Sequence, residues 1–372
     1  MLKKALVISL VLVFVLSFST VSLANDYKDQ YMLSYNVAPG FPWGVGVNYF
    51  ADIVEKRTDG RINIKPVGGS QLAGGDQTQV FSLVRNGAID MAVESTINFS
   101  PQIKSMNLFS LPYFFEGYDE LDAVQNGKAG QMILDQMDRL GVKAFGWGEN
   151  GFRQITNNVR PIEEPSDLEG LKFRVVGSEI FIDTFKALGA NPLTMNWGEA
   201  TTGFQQGTVD GQENPTVGVL IPVKIWEFHD YMTAWDYVAD PLVIGINKQV
   251  FNSFTEEDQE IVAEAAREAL KFEKMLARYG MADGEAKQYI DEMIESGEDL
   301  GYAKDFLSDL RGEDGSFSPH DYLEQKGMEV IDLSPEQKQK FREKTQSVYD
   351  KWIDRIGKDI YEAAQEDKES VN

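Results

Sequence analysis

The segment Gly151-Phe152-Arg153-Gln154-Ile155-Thr156, continued through Asn158, Arg160 and Pro161 to Leu171-Lys172-Phe173-Arg174-Val175, holds two strand patterns that each carry an arginine. In the second, Leu171, Phe173 and Val175 alternate with Lys172 and Arg174, the period-two pattern of a half-buried strand, so Arg174 is expected on the polar face. Between the strands, Pro165-Ser166-Asp167-Leu168-Glu169-Gly170 supplies a serine cap, a glutamate three residues later and a closing glycine, enough for one helical turn. A charged side chain at a strand end is ordinarily solvated. The 372-residue chain, however, has a net charge of −24. In that setting two guanidiniums on nearby strand ends form a local positive site. Guanidinium holds a carboxylate bidentately, so a small anion is the expected guest.

Upstream, strand and helix patterns alternate. Tyr31 to Val37 is a strand candidate, followed by a turn at Pro39-Gly40 and a helix with Val47, Phe50 and Val54 on one face. Arg61 to Lys65 reads as a strand, Asp76 to Asn86 as a helix stopped by Gly87, and Ile89 to Val93 as a third strand. This punctuation predicts a mostly parallel, helix-covered sheet whose ligand lies at loops on the strand ends. Trp43, Glu94, Ser95, Thr96 and Asn98 fall in such loops. Trp147, Glu149 and Asn150 follow the strand Val142 to Phe145, where the chain would cross between lobes. Gly68-Gly69 and Gly74-Gly75 lack the residues of a phosphate cradle and read as turns.

Downstream, Ser178 can cap a helix carrying Phe181, Phe185 and Leu188, and Met195-Asn196-Trp197 leads into a short helix through Gln206. Asn214 precedes Pro215, which holds its backbone extended. Thr255 caps a long helical pattern through Tyr279. A last helix has Ser334 as cap, Pro335 at its first position, Gln337 completing the box and a stripe of Phe341, Val348, Trp352, Ile356 and Ile360.

Residues 1–24 combine Lys3 and Lys4, a short apolar run and Ser22-Leu23-Ala24, the pattern of a secretory leader cleaved near Ala24. Its removal leaves 59 acidic against 33 basic residues, a surface that repels nucleic acid and anionic membranes. There is no cysteine, which excludes disulfides, thiolate metal sites, thiol nucleophiles and a lipid anchor on a modified cysteine.

An ordered set of motifs carries a resemblance. Thr58-Asp59-Gly60-Arg61-Ile62, Ser70-Gln71-Leu72, Asn86-Gly87-Ala88-Ile89-Asp90-Met91-Ala92 and Leu111-Pro112-Tyr113-Phe114-Phe115 precede Gly151-Phe152-Arg153-Gln154 and Arg160-Pro161-Ile162. Then come Asp167 to Val175, Leu188-Gly189-Ala190-Asn191-Pro192 and Val209-Asp210-Gly211-Gln212-Glu213-Asn214-Pro215. In order and spacing this resembles the DctP-type solute-binding proteins of tripartite ATP-independent periplasmic (TRAP) transporters. The resemblance implies a two-lobed α/β fold of the periplasmic-binding-protein type, with a long helix spanning both lobes and a hinged cleft. Lobe I would comprise 25–150 plus about 240–279, and lobe II 151–239 plus about 280–372. Residues 297–327 look like an insertion.

The resemblance further implies a non-catalytic periplasmic receptor without cofactor or metal, a monomer that closes over an organic acid and docks on TRAP membrane subunits. Arg174 would clamp the carboxylate, with Arg153 as second donor and Asn214 as a neutral one; Trp197, Glu94, Ser95, Trp43, Trp147 and Asp236 complete the expected site. Many relatives have histidine where this chain reads Trp235-Asp236-Tyr237. Asp236 would then either neutralise an arginine or accept from a ligand hydroxyl. With two arginines available, a four-carbon dicarboxylate is the first expectation, followed by sugar acids, hydroxy acids and 2-oxo acids. The competing reading is a secreted acid/base hydrolase or lyase. His229 and His320 are the only histidines and no Gly-x-Ser-x-Gly occurs, so nucleophilic triads are poorly supplied.

Overall fold

The structure, a computed structural model, describes residues 27–281, 284–297, 302–310 and 318–371. The leader and the Gly312-to-Ser316 part of the expected insertion lie outside them. Among the described residues eleven strands form one mixed sheet: β1 Tyr31–Ser34, β2 Ile64–Val67, β3 Met91–Ser95, β4 Val142–Ala144, β5 Gly148–Asn157, β6 Lys172–Val175, β7 Asn191–Thr194, β8 Gly211–Pro215, β9 Tyr231–Ala234, β10 Ala239–Asn247 and β11 Glu329–Asp332. Their order is β2-β1-β3-β10-β5-β8-β6-β7, with β4 on β10, β9 on β5 and β11 on β9.

The parallel pairs predicted from the alternating pattern are present at β1–β2, β1–β3, β6–β7 and β6–β8. The centre departs from that pattern. β10 runs antiparallel to β3 and to β5, and β5 runs antiparallel to β8 and β9. These two long strands are buried throughout, so their side chains read as continuous core rather than as alternation. They join the two lobes, and their mutual register shifts between Asp240 and Pro241. Proline cannot donate to a ladder, which places the irregularity there.

The long helix is Glu256–Ala277, capped as expected by the Thr255 hydroxyl, with Glu256, Glu257 and Asp258 in its first turn. It lies against the helix Pro42–Arg57 and against β5. The approach is close: a Cβ on Gly46 would meet the Glu273 Cβ at 2.5 Å. Beyond its end, Arg278 grips Glu149 at 2.6 Å and Asp122 at 2.7 Å, tying the helix to the start of β5.

Trp43, expected in a loop, lies in the helix Pro42–Arg57, and Glu94 and Ser95 end β3 itself. Three further sequence expectations change. The turn Pro165–Leu168 is capped by Glu164, boxed with Asp167, rather than by Ser166. The C-terminal stripe belongs to three helices, Pro335–Lys344, Gln346–Ile356 and Lys358–Glu369, because Thr345 and Gly357 (φ 109°) interrupt it. Its apolar residues are nevertheless core, and the Ser334, Pro335 and Gln337 box is formed. Within the expected insertion, the described helix Tyr302–Leu310 buries Ala303, Phe306, Leu307 and Leu310 in the core shared with Pro42–Arg57.

Candidate functional site

A narrow cavity of about 20 Å³ lies where the lobes meet, bordered by both Arg153 and Arg174. Register explains the first arginine. On the β5–β8 ladder Arg153 faces Pro215, so Glu213, two residues back, shares its face as a diagonal neighbour. Arg153 donates from Nε to Glu213 Oε2, from Nη2 to Glu213 Oε1 at 2.9 Å, and from Nη1 to Asp240 Oδ2 at 2.6 Å. Its Nη2 also donates to Asn214 Oδ1 at 3.0 Å. Burial disfavours the charge, but the two carboxylates outweigh it and raise the pKa above the ordinary arginine value. The expected second donor is thus already held by protein carboxylates.

Arg174 differs. Expected on a polar face, it is 1% exposed, covered by the segment from Met195 to Trp197. Its Nε and Nη2 both donate to the Met195 carbonyl, at 3.2 and 2.9 Å, and its guanidinium lies 5.7 Å from the Trp197 ring centre. Among the described residues no carboxylate lies within ion-pair distance of it. Burial, with Arg153 adding repulsion and Glu213 partly offsetting it, pushes its pKa down to about 10. It is a cation without a counter-ion.

Lobe I supplies the remaining wall. Trp43 is fixed by its indole N–H to the Val93 carbonyl at 3.2 Å. The Ser95 hydroxyl donates to Asp240 Oδ1, and Asn150 Nδ2 donates to Asp240 Oδ2 at 3.0 Å. A chain of hydrogen bonds crosses the cleft. The Trp197 backbone N–H donates to Gln77 Oε1 at 2.9 Å, Gln77 Nε2 to Asn98 Oδ1 at 2.9 Å, and Asn98 Nδ2 to Glu94 Oε2 at 2.6 Å. Farther along, the hydroxyls of Ser100 and Ser178 meet at 2.8 Å. Glu94 stands behind the lining, with Oε1 buried and unpartnered, and its pKa is raised well above the carboxylate range mainly by burial.

The cavity therefore gathers Arg153, Arg174, Asn214, Trp197, Ser95 and Trp43. Two expected residues lie elsewhere. Trp147, just before β5, packs in the core 5.1 Å from the Phe109 ring. Asp236 sits at φ 50° with its carboxylate on Gln154 Nε2 at 2.6 Å and Lys338 Nζ at 2.8 Å. It borders a separate cavity of about 610 Å³ with Tyr113, Trp235 and Arg342. That larger space suits an acid poorly: Lys338 and Arg342 already hold Asp236 and Glu116, at 2.8 and 2.6 Å. Asp236 thus neutralises a lysine, not an arginine of the site.

Sequence reading missed Asn36, Val37, Gln77, Ile97, Val176, Val219 and Asp240 at the cavity. Asp240 had a signal, an acid inside the buried run Tyr237 to Val243 just before Pro241. Gln77 had none, since its role depends on the other lobe.

Residues 33–300 match the model of DctP, bacterial extracellular solute-binding protein, family 7. The chain belongs to this family. It is 31% identical over 281 residues to the 2,3-diketo-L-gulonate-binding periplasmic protein of Escherichia coli, covering 76% of this chain and 82% of that one. A TRAP periplasmic solute-binding protein from Ralstonia eutropha H16, solved with (S)-2-acetolactate, superposes with a TM-score of 0.81 at 42% identity, covering 92% of this chain and all (100%) of that one. Another from Shewanella oneidensis, solved with succinate, gives 0.75 at 26% identity, covering 91% and 99%. The fold is accordingly the two-lobed fold of this family, whose members are periplasmic receptors for small organic acids that serve TRAP membrane subunits. As a DctP-family protein, the chain is a solute receptor and not an enzyme. Among the described residues no helix is long and apolar enough to cross a membrane.

Proposed function

We propose that this receptor takes its acid in the cavity between the lobes, with the carboxylate forked onto Arg174, and presents the closed complex to TRAP membrane subunits. The observation that carries this reading is the buried Arg174 guanidinium, which borders the cavity with no carboxylate of the described residues in ion-pair distance. A buried cation is costly unless paired, and a ligand carboxylate supplies the missing partner in the geometry guanidinium prefers. The acids found with the relatives named above are all carboxylates, which supports the class.

Trp43 and Trp197 wall the cavity from opposite lobes. Closure joins them through the Gln77 bridge, so a ligand that adds contacts to both lobes shifts the open–closed equilibrium by its differential affinity. β5 and β10, with their irregularity at Asp240 and Pro241, are the connection across which the lobes turn. We keep as a proposal the division into lobe I, 25–150 plus about 240–279, and lobe II, 151–239 plus about 280–372, with the helix Tyr302–Leu310 packed against lobe I. The exported form starts near Asn25 and acts as a monomer, checked by N-terminal sequencing and light scattering.

The test is calorimetric titration with a panel of organic acids, followed by mass spectrometry of the acid recovered. Binding that raises the melting temperature, returns the acid unchanged and disappears in Arg174→Ala supports the receptor site. Binding at full strength in folded Arg174→Ala would move the carboxylate elsewhere, and consumption of the acid would revive the hydrolase or lyase reading.

A further inference from the structure

Resting on the Arg174 reading, the charge distribution of the cavity narrows the ligand. We infer that the receptor selects a short monocarboxylate bearing a hydroxyl or oxo group and discriminates against a second carboxylate, and that Glu213 and Asp240 set this selectivity.

The two arginines that border the cavity look like a site for two carboxylates. Only one is open. Glu213 takes two nitrogens of Arg153 and Asp240 takes a third, while the Asn214 carbonyl oxygen adds a further acceptor to Nη2. Glu213 is held in turn by the Tyr237 hydroxyl at 2.8 Å, and Asp240 by Ser95 and Asn150. These carboxylates are 0% and 1% exposed and cannot swing out to release the guanidinium.

The four ionised groups, Arg153, Arg174, Glu213 and Asp240, sum to zero. Every carboxylate brought in therefore adds a negative charge. The first gains the unpartnered Arg174 directly. A second, anywhere in so small a cavity, meets no open cation and borders Asp240 itself, and a buried charge lacking a partner is strongly unfavourable. Like charges at short range add to the penalty.

The rest of the polar lining is neutral. Gln77, Asn98 and Asn214 are tied to protein partners, but Asn150 Oδ1 is buried and unpartnered and can accept from a hydroxyl, and Asn36, engaged through Oδ1 by Ser70, keeps its Nδ2 to donate to a hydroxyl or carbonyl oxygen. Val37, Ile97, Val176 and Val219 complete the wall with Trp43 and Trp197, leaving about 20 Å³ between the closed lobes. In this state the space holds about one water molecule, so any acid must part the lobes, and a short skeleton parts them least.

Four-carbon probes of equal length isolate the charge. The full chain, freed of co-purifying acid by unfolding and refolding, is titrated calorimetrically at neutral pH with 2-hydroxybutyrate, 2-oxobutyrate and succinate, and with galactonate as the long probe. The expected result is binding of at least one monocarboxylate ten times or more tighter than succinate and galactonate. Succinate binding as tightly as both monocarboxylates, and lost in Arg174→Lys, would overturn the selectivity while leaving the Arg174 site standing. Galactonate binding most tightly would overturn the size argument. No heat and no melting shift with any of the four would remove the carboxylate site and this inference together. In Asp240→Asn the ratio of succinate to 2-hydroxybutyrate affinity should rise at least fivefold, and an unchanged ratio in the folded variant would overturn the role given to Asp240. Should that variant fail to fold, the wild-type comparison alone decides the selectivity.

Discussion

Arg153 on β5 and Arg174 on β6 border the same cavity from the same sheet, and each is almost fully buried, at 2% and 1% exposure. Around Arg153 the protein has built a closed ionic cluster with Glu213, Asp240 and Tyr237. Around Arg174 it offers one carbonyl and an aromatic face. Burial alone therefore does not tell whether an arginine stabilises the fold or receives a ligand. What distinguishes them is whether the protein supplies the counter-ion: where it does, the charge holds the lobe together, and where it does not, a buried cation is left for which we propose a ligand carboxylate.

The largest effect that would break this contrast is on stability. Arg153→Leu leaves Glu213 and Asp240 buried and unpaired, and should cost about 3–5 kcal/mol of unfolding free energy in ligand-free protein. Chemical denaturation measures it, and a loss below about 1 kcal/mol would mean that the cluster is dispensable. The companion variant acts on binding instead. Arg174→Lys keeps a charge but loses the fork, and the affinity for the identified acid should fall by about 2–5 kcal/mol, roughly 30- to several-thousand-fold. Ligand-free stability should hold or increase, since no ion pair is broken.

A third buried base sharpens the comparison through pH. His229 is 2% exposed, shares a hydrogen bond with Thr156 at 2.8 Å, and has its pKa pushed down by burial to about 4 from the usual 6.5. Between those values the unfolded chain binds a proton that the folded chain does not, so stability contributed by the neutral ring is present above about pH 6.5 and lost as pH falls toward 4. The full window corresponds to about 3 kcal/mol. Burial raises the pKa of Glu94 and Glu273, which works in the opposite direction. The His229 share is therefore read as the difference between wild type and His229→Gln across that range. An identical acid-side slope in both would sink this assignment.

The smallest effects concern the tryptophans. Trp197→Leu removes the ring beside Arg174 and should weaken acid binding by about 0.5–2 kcal/mol without changing the melting temperature by more than a few degrees. Single-tryptophan variants retaining Trp43 or Trp197 should change emission on binding, whereas the variant retaining Trp147, packed on Phe109, should not. A response confined to Trp147 would contradict the cavity assignment.

The parts legible in the sequence are those that neighbours in the chain decide. Thr255 with its three following acids, and the Ser334, Pro335 and Gln337 box, announce their helices because caps act over one turn. The alternation around Phe173 places β6, and the ordered motifs from Thr58 to Pro215 carry the family, hence the two lobes and the receptor class. Tertiary structure alone decided the state of each charge. Arg153 meets carboxylates 60 and 87 residues away, Asp236 meets a lysine 102 residues away, and Gln77 meets Trp197 across 120. Such partners are assigned by sheet register and by the closing of one lobe on the other. Since a buried charge takes its energy from the few groups within hydrogen-bond reach, the sequence by itself determines that two arginines lie near the cleft, and the tertiary structure determines that Glu213 and Asp240 hold one of them while the other has no counter-ion among the described residues.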